Sequence, residues 1–266
     1  MITNNLQEII TAKQNIKSAL IGKGVSPTGG LSTYADAINR ISTGDSGIFV
    51  VPDGMKFAGS TITQFPMVDT SNVTDMFDMF YNCTSLHTIP LLDTSNVTDM
   101  NSMFLDCTSL HTIPLLDTSN VTNMHNMFYN CHSLTTIPQL DTSNVTNVGG
   151  MFAGCTSLQS LPLLDFSKVW IMGLFFNNGE SGKITTLTDL GGFKNLGNDQ
   201  ILSINSGFLS YAPNLTHESL MNVINNLYDR KSAGYSNANI DFGSTNLAKL
   251  SDEEKAIATN KGWTLK

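Results

Sequence analysis

The chain of 266 residues has little charge, and most of that charge is acidic. Only 14% of its residues are charged, and the net charge is −8. A protein that binds a phosphate backbone carries a basic stripe, so this composition argues against a nucleic-acid partner. No apolar run approaches the roughly 18 residues of a membrane span. We therefore expect neither nucleic acid nor a membrane span.

The first ten residues lack the basic start and the unbroken apolar stretch of a secretory signal. We therefore expect that the general secretory route does not export the chain, unless a signal has been removed.

The four cysteines lack the short spacings of zinc sites. They are separated from one another by 24 residues, and there is no CxxC pair. Thiols at equivalent repeat positions act most simply as small buried side chains. We expect reduced cysteines and no metal or cofactor, with disulfides or a bound metal as the alternatives. The residues are Cys83, Cys107, Cys131 and Cys155.

Recognisable catalytic motifs are also missing. The chain has no phosphate-binding glycine loop and no nucleophile turn. His87 and His111 have Ser and Thr neighbours, but their repeat column becomes Thr135 and Gln159 in later copies. A catalytic triad needs one unique arrangement of residues, which a repeated column does not supply. The sequence therefore predicts that the protein is not an enzyme.

What the chain does contain is a segment of 24 residues that recurs along its middle. The period is kept by the Met-Phe pairs and by a column of aspartates. A fixed period of this length is the signature of a solenoid, in which each unit buries its apolar residues against the next. The aspartates are Asp69, Asp93, Asp117, Asp141 and Asp165.

The copy from Asp93 to Leu116 shows how one unit is organised. Its apolar positions step mostly by three residues, which predicts one or two helical turns over 97–106 and a short strand over 110–116. The Asp-Thr-Ser-Asn block predicts a turn whose polar side chains bind the backbone. A calcium ladder is the alternative for the aspartates. Glycosylation is the alternative for the Asn-Val-Thr triplets, which start at Asn72, Asn96, Asn120 and Asn144.

The run Cys-x-x-Leu-x-x-Ile-Pro-x-Leu-Asp-Thr-Ser-Asn-Val-Thr-x-Met-x-x-Met-Phe resembles the bacterial surface-protein leucine-rich repeat. That family is named for the BspA adhesins and includes a domain of unknown function in mycoplasma-type lipoproteins. The resemblance covers about Ile62 to Phe176 and implies a role in adhesion or protein contact. The fold class expected from it is an α+β solenoid, a right-handed coil array of the leucine-rich-repeat type with short strands. An N-terminal helical arm and a mixed α/β C-terminal cap complete this prediction.

Four regions are expected along the chain. They are a helical oligomerisation or docking arm with its linker (1–46), an N-terminal cap (47–66), the 24-residue repeats (67–190) and an α/β cap (191–266). In the N-terminal cap, two strands joined by a turn should cover the edge of the first coil. In the last region we expect helices after Thr216 and Ser251, and strands near Ile240 and Trp263.

The arm has heptad spacing with one lysine in its apolar stripe. We interpret it as an oligomerisation or docking arm, because fewer than three heptads are marginal without a partner. The alternative is a helical hairpin packed on its own chain. The segment also resembles the N-terminal segment of phage fibre and tail proteins. The stripe is Ile2, Leu6, Ile9, Lys13, Ile16 and Leu20.

Two columns that vary between copies are predicted to be exposed, one starting at Phe77 and the other at Tyr81. Aromatic residues at such positions can anchor a partner, and the alternative is scattered surface aromatics without function. The predicted contact residues are Phe77, Tyr81, His87, Leu105, His111, His125 and Tyr129.

These patterns lead to a hypothesis of function. The first choice is a non-enzymatic phage virion structural protein, of the fibre, tail or decoration type, that presents its repeats for host attachment or protein binding. The arm would hold it to other virion proteins or to copies of itself, and a host surface protein or glycan would meet the repeats. The alternative is a BspA-like adhesin at the bacterial cell surface. A small catalytic solenoid is the third hypothesis.

Overall fold

The computed structural model describes residues 51–177, 183–197, 203–204 and 208–266. The predicted arm at 1–46, with its heptad stripe, lies outside the described residues. Within the described part of the chain, no helix is both long and apolar enough to span a membrane.

Successive 24-residue units lie side by side and are joined by backbone hydrogen bonds. Phe104 N donates to the carbonyl of Met127 at 3.0 Å, and His111 N donates to the carbonyl of His87 at 3.1 Å. Equivalent bonds recur one unit further along the chain. Each unit is therefore one coil of a stack, and it bonds mainly to the coils directly before and after it.

The core of the stack consists of columns of identical side chains. The rings of Phe80, Phe104, Phe128 and Phe152 follow one another at centroid distances of 5.5, 5.6 and 5.5 Å, and each is fully buried. A single coil is too thin to cover these residues, so each coil buries them against its neighbours. The regular columns begin with Val73, Met76, Met79, Cys83, Leu86, Ile89 and Leu92.

The cysteine column is buried, and all four thiols are free. Each Sγ donates to a phenylalanine carbonyl of the preceding coil, as Cys107 does to Phe80 at 3.0 Å and Cys131 to Phe104 at 3.1 Å. Burial raises the pKa of Cys83 to about 11 and raises the pKa of the other three thiols as well. The prediction of reduced, small, buried side chains is confirmed.

The first half of each coil is a chain of tight turns, so the predicted helical turns at 97–106 are wrong. Met103 N donates to Met100 O at 3.3 Å, and Leu105 N donates to Ser102 O at 3.1 Å. Ser102 and Asp106 have φ angles of 55° and 61°. Such left-handed residues recur every fourth position and interrupt a helix each time.

The predicted strand at 110–116 is also absent, because that part of the coil makes only isolated bridging contacts such as Thr136 with Ser160. Pro114 has no N–H to donate there. Two-residue strands appear only towards the end of the array. They are β1 (Ser160–Leu161), β2 (Leu164–Asp165), β3 (Asp189–Leu190) and β4 (Phe193–Lys194), with β1 parallel to β3 and β2 parallel to β4.

Residues 51–66 cover the edge of the first coil, as expected, but without the two predicted strands. Phe57 N donates to Met79 O at 2.6 Å, and Gly59 N donates to Tyr81 O at 2.7 Å. The Asp53 carboxylate accepts from Thr74 N at 2.8 Å. Turns thus satisfy the backbone groups that the first coil leaves open.

The C-terminal region contains the two helices that the sequence predicts. Helix α1 (His217–Asn226) starts after Thr216, whose side chain accepts a hydrogen bond from Ser219 N. After the short helix α2 (Gly243–Leu247), α3 (Asp252–Asn260) starts at a capping box between Ser251 and Glu254. Short polar side chains satisfy the first free N–H groups of a helix, which explains both starts.

A three-stranded parallel sheet completes this region, with the central strand β6 (Ala238–Ile240) between β5 (Ser203–Ile204) and β7 (Trp263–Leu265). The predicted strands near Ile240 and Trp263 are confirmed. One turn of 3-10 helix (Leu209–Tyr211) and α2 have no counterpart in the sequence-based prediction.

Candidate functional site

A groove runs along one corner of the stack, with a volume of about 1220 Å³. One wall is a column of outward-facing side chains, and the other is the column of aspartates with its neighbouring serines. We name it the leucine groove. Leu91, Leu115 and Leu163 of the first wall are 69%, 60% and 40% exposed, which makes them among the most exposed apolar residues described. Gln139 occupies the same column in the fourth coil.

Local alternation of the chain explains why these leucines point outward. Leu92 and Leu116, which directly follow Leu91 and Leu115, are each 2% exposed and belong to the core. In extended backbone, consecutive side chains point to opposite faces, so one leucine of each pair must leave the core. The core therefore positions the exposed column without any contact from outside.

The aspartate wall is built from turns that its own side chains stabilise. Oδ1 of Asp93 accepts from Ser95 N at 3.1 Å and from Ser95 Oγ at 2.7 Å, and Asp117 binds Ser119 at 3.0 and 2.7 Å. The side chain and backbone N–H of Ser119 lower the pKa of Asp117. The turn-capping interpretation of this column is confirmed. Within the described ranges, no cluster of three His, Cys, Asp or Glu could hold a metal ion.

The second carboxylate oxygen is what the groove offers to a partner. Among the described residues, it has no hydrogen-bond partner in the first four aspartates of the column. At the fifth, Lys194 Nζ binds Oδ2 of Asp165 at 2.6 Å and closes that end of the groove. Burial raises the pKa of Asp165, but the hydrogen bonds from Lys194 and Ser167 outweigh this effect and leave the pKa lowered. The open aspartates are Asp69, Asp93, Asp117 and Asp141.

The asparagine column holds the same corner together. Asn96 Nδ2 donates to Ser71 O at 2.8 Å, and Asn120 Nδ2 donates to Ser95 O at 2.7 Å. This nitrogen is the atom that would carry a glycan. Because it joins adjacent coils instead, the structure supports the structural interpretation of the Asn-Val-Thr triplets. Asn144 repeats the bond in the next coil.

None of the seven predicted contact residues lines the groove. Tyr81 is 40% exposed, and Phe77 has Lys56 Nζ 3.9 Å above its ring. The exposed rings of His87 and His111 stack with their centroids 5.7 Å apart. These four positions are open to solvent, and a contact role for them stays a prediction.

The other three predicted residues are half-buried: Leu105, His125 and Tyr129. Nδ1 of His125 is buried and has no hydrogen-bond partner among the described residues, and Nε2 lies 3.1 Å from the side chain of Asn126. A Cβ on Gly149 of the next coil would lie 2.9 Å from that Nδ1. His125 therefore packs into the space that this glycine leaves.

The analysis of variable columns missed the leucine wall because it favoured aromatic residues. A signal was present, since Leu-Leu directly precedes Asp in three copies of the repeat. Two adjacent leucines in extended backbone cannot both face the same core.

The molecule is thus a repeat protein of stacked coils with a groove along one corner. The chain belongs to the family described as "Mycoplasma protein of unknown function, DUF285", whose model matches residues 53–161 and 87–186. The match agrees with the predicted resemblance to the mycoplasma-type domain, and no match supports the predicted phage-like segment. No curated protein and no solved structure matches the chain.

Proposed function

We propose that the protein is a non-enzymatic binding protein of the leucine-rich-repeat type that contacts its partner through the leucine groove. The observation that carries this proposal is the column of exposed leucines beside open carboxylate oxygens, repeated over several coils. Contiguous exposed apolar surface with a polar rim is typical of interaction sites. A partner would gain apolar contacts from one wall and directional contacts from the other.

Within this role, we place the protein in a phage virion, as a structural protein of the fibre, tail or decoration type. The resemblance of residues 1–46 to phage fibre and tail proteins supports this assignment. The heptad stripe would attach the chain to other virion proteins or to copies of itself. The coils would then present the groove to a host surface protein or glycan, or to a neighbouring virion protein.

A BspA-like adhesin at the bacterial cell surface is the second candidate. The family match over 53–186 favours it, because the matching family is described from Mycoplasma, which are bacteria. Finding the protein by mass spectrometry in purified phage particles supports the first candidate. Recovery from the envelopes of a phage-free culture supports the second.

The absence of catalysis is part of the same proposal. The hydroxyls of Ser95 and Ser119 donate to their own aspartates, and the thiols are buried donors with raised pKa values. Groups held in this way serve the turns and the core. A substrate-turnover screen in which every repeat histidine is replaced would contradict the proposal if it revealed an activity that the replacements abolish.

The binding role is tested with a full-length variant that carries Leu91→Ser and Leu115→Ser. We expect it to bind particles or host cells roughly tenfold more weakly, because two central apolar anchors are lost. The matched control is Trp170→Ser, which removes a side chain that is 57% exposed and outside the groove. Equal binding by the variant and the control would exclude the groove as the contact surface.

A further inference from the structure

The described chain begins at one end of the leucine groove. Val51 N donates to the carbonyl of Asp69 at 2.7 Å, and Asp69 and Val68 line the groove. Residues 1–50 are therefore joined to the array directly beside the first open aspartate. Whatever this segment contacts, it starts next to the groove.

The charge of the groove favours a cationic occupant. Four aspartates each leave one carboxylate oxygen without a partner, and Lys194 shows at Asp165 that a lysine ammonium fits this position at 2.6 Å. The first 24 residues of the chain carry Lys13, Lys17 and Lys23 against the single acid Glu8. The segment joined to the end of this acidic groove is therefore basic.

The predicted helix at 2–20 combines these lysines with apolar residues. Ile9, Lys13, Ile16, Lys17 and Leu20 are spaced by three and four residues, which places them on one face of a helix. In a self-associating seam, a lysine at this position costs stability. A groove with leucines on one wall and carboxylates on the other accommodates both kinds of side chain.

The dimensions agree as well. The outer column from Leu91 to Leu163 covers three coil steps, and Val68 and Asp69 add one more at the start. Steps of 5.5 Å between stacked rings give the groove a length of about 22 Å. A helix over residues 2–20 is about 28 Å long. Residues 21–50 leave ample chain to place the helix in either direction.

We propose that the leucine groove is occupied, in the free protein, by residues 2–20 of the same chain, with Lys13 and Lys17 at the open aspartates. The tether keeps the segment at an effective concentration in the millimolar range, roughly, so modest contacts suffice. When the arm engages another protein, the groove becomes available. This inference does not depend on the virion role, since it concerns two parts of one molecule.

Cross-linking within the full-length protein tests this contact. Cysteines are introduced as Ala12→Cys, beside the stripe, and Gln139→Cys, in the groove, and the protein is treated with a short bismaleimide. The four native thiols are buried and have raised pKa values, so they react slowly. The control pairs Ala12→Cys with His132→Cys, an exposed position outside the groove. We expect linking within one chain to be about tenfold faster for the groove pair.

A charge reversal gives an independent readout. Lys13→Glu together with Lys17→Glu is expected to slow the linking of the groove pair about threefold or more, whereas Lys23→Glu leaves it nearly unchanged. Linked dimers in place of linked monomers would assign the groove to a second copy and overturn the proposal. Equal rates for the groove pair and the control pair would overturn it too. Loss of host binding alone would bear only on the proposed function.

Discussion

The regular coils and the C-terminal region are stabilised in opposite ways. In the coils, each hydrogen bond and each stacked ring has nearly identical counterparts one unit away, as the Phe80–Phe104 and Phe104–Phe128 distances of 5.5 and 5.6 Å show. The C-terminal region relies on side chains that occur once. Stability is therefore shared among copies in the first region and concentrated in a few residues in the second.

Three cations illustrate the second case. Lys261 Nζ donates to three carbonyls around the end of α1, at 2.6 to 3.3 Å, and Lys249 Nζ donates to two carbonyls in the chain before α1. Arg230 is 1% exposed and donates to Ser236 O and Gly197 O. A cation near the C-terminal end of a helix is favourable because the free carbonyls there are partly negative.

The largest expected effect tests whether internal coils are equivalent. Phe104→Ala and Phe128→Ala should each lower the free energy of unfolding by about 3–5 kcal/mol, because each removes a buried ring and leaves a cavity. Urea denaturation followed by circular dichroism measures both values. His111→Ala, at an exposed position of the same array, is the control. Losses that differ by more than about 1 kcal/mol would break the equivalence.

Arg230→Met is the corresponding test in the C-terminal region. It should lower the free energy of unfolding by roughly 2–3 kcal/mol, because buried carbonyls lose their donor while the side-chain volume is nearly kept. Lys231→Met, at the exposed neighbouring position, should change it by less than about 0.5 kcal/mol. The same denaturation measurement decides, and similar losses for both variants would contradict a concentrated role for Arg230.

A smaller effect compares two serines with similar local bonds. Ser251→Ala removes the cap of α3 and should cost about 1 kcal/mol in the free energy of unfolding. Ser95→Ala keeps the backbone N–H bond to Asp93, so its cost should stay below about 0.5 kcal/mol. Thermal unfolding of both variants and of Ser251→Thr provides the measurement. Equal costs would show that the corner turns are as vulnerable as the helix cap.

The smallest effect concerns pH. Ser71 and Ser119 lower the folded-state pKa values of Asp69 and Asp117, so folding is favoured by their ionised forms. This stability is present above the unfolded pKa of about 3.9 and is lost as the pH falls through the folded-state values. Asp117→Asn should therefore flatten the decline of the urea midpoint below about pH 4. An unchanged slope, with Asp252→Asn as the control, would contradict the role of the turn bonds.

Sequence patterns predicted what depends on repetition and on helix starts. The period identified buried columns such as Met100 and Cys107, both fully buried, and the caps Thr216 and Ser251 marked two helices. The left-handed turns were harder to predict, because residue type alone does not specify them. Leu174 adopts a φ of 61° at a position where earlier copies have Asp, Ser, Asn or Gly.

Two further features depend on the folded environment. Arginine is usually exposed, so nothing in its sequence context indicated that Arg230 would be buried between Trp263 and Tyr235. The groove required knowing which leucine of each pair faces outward, and this follows only once the backbone is known to be extended there. Half of the site, the aspartate turns, was readable from the sequence, and the leucine wall was not.

The hydrogen bonds between coils join residues 24 positions apart, and this has a consequence at the level of the gene. Recombination between the near-identical repeats that adds or removes one whole unit leaves every inner column in register. Each such event lengthens or shortens the leucine groove by one step of about 5.5 Å while both ends stay as they are. The reach of this surface can therefore change in a single generation, without the gradual substitution that a globular binding pocket requires.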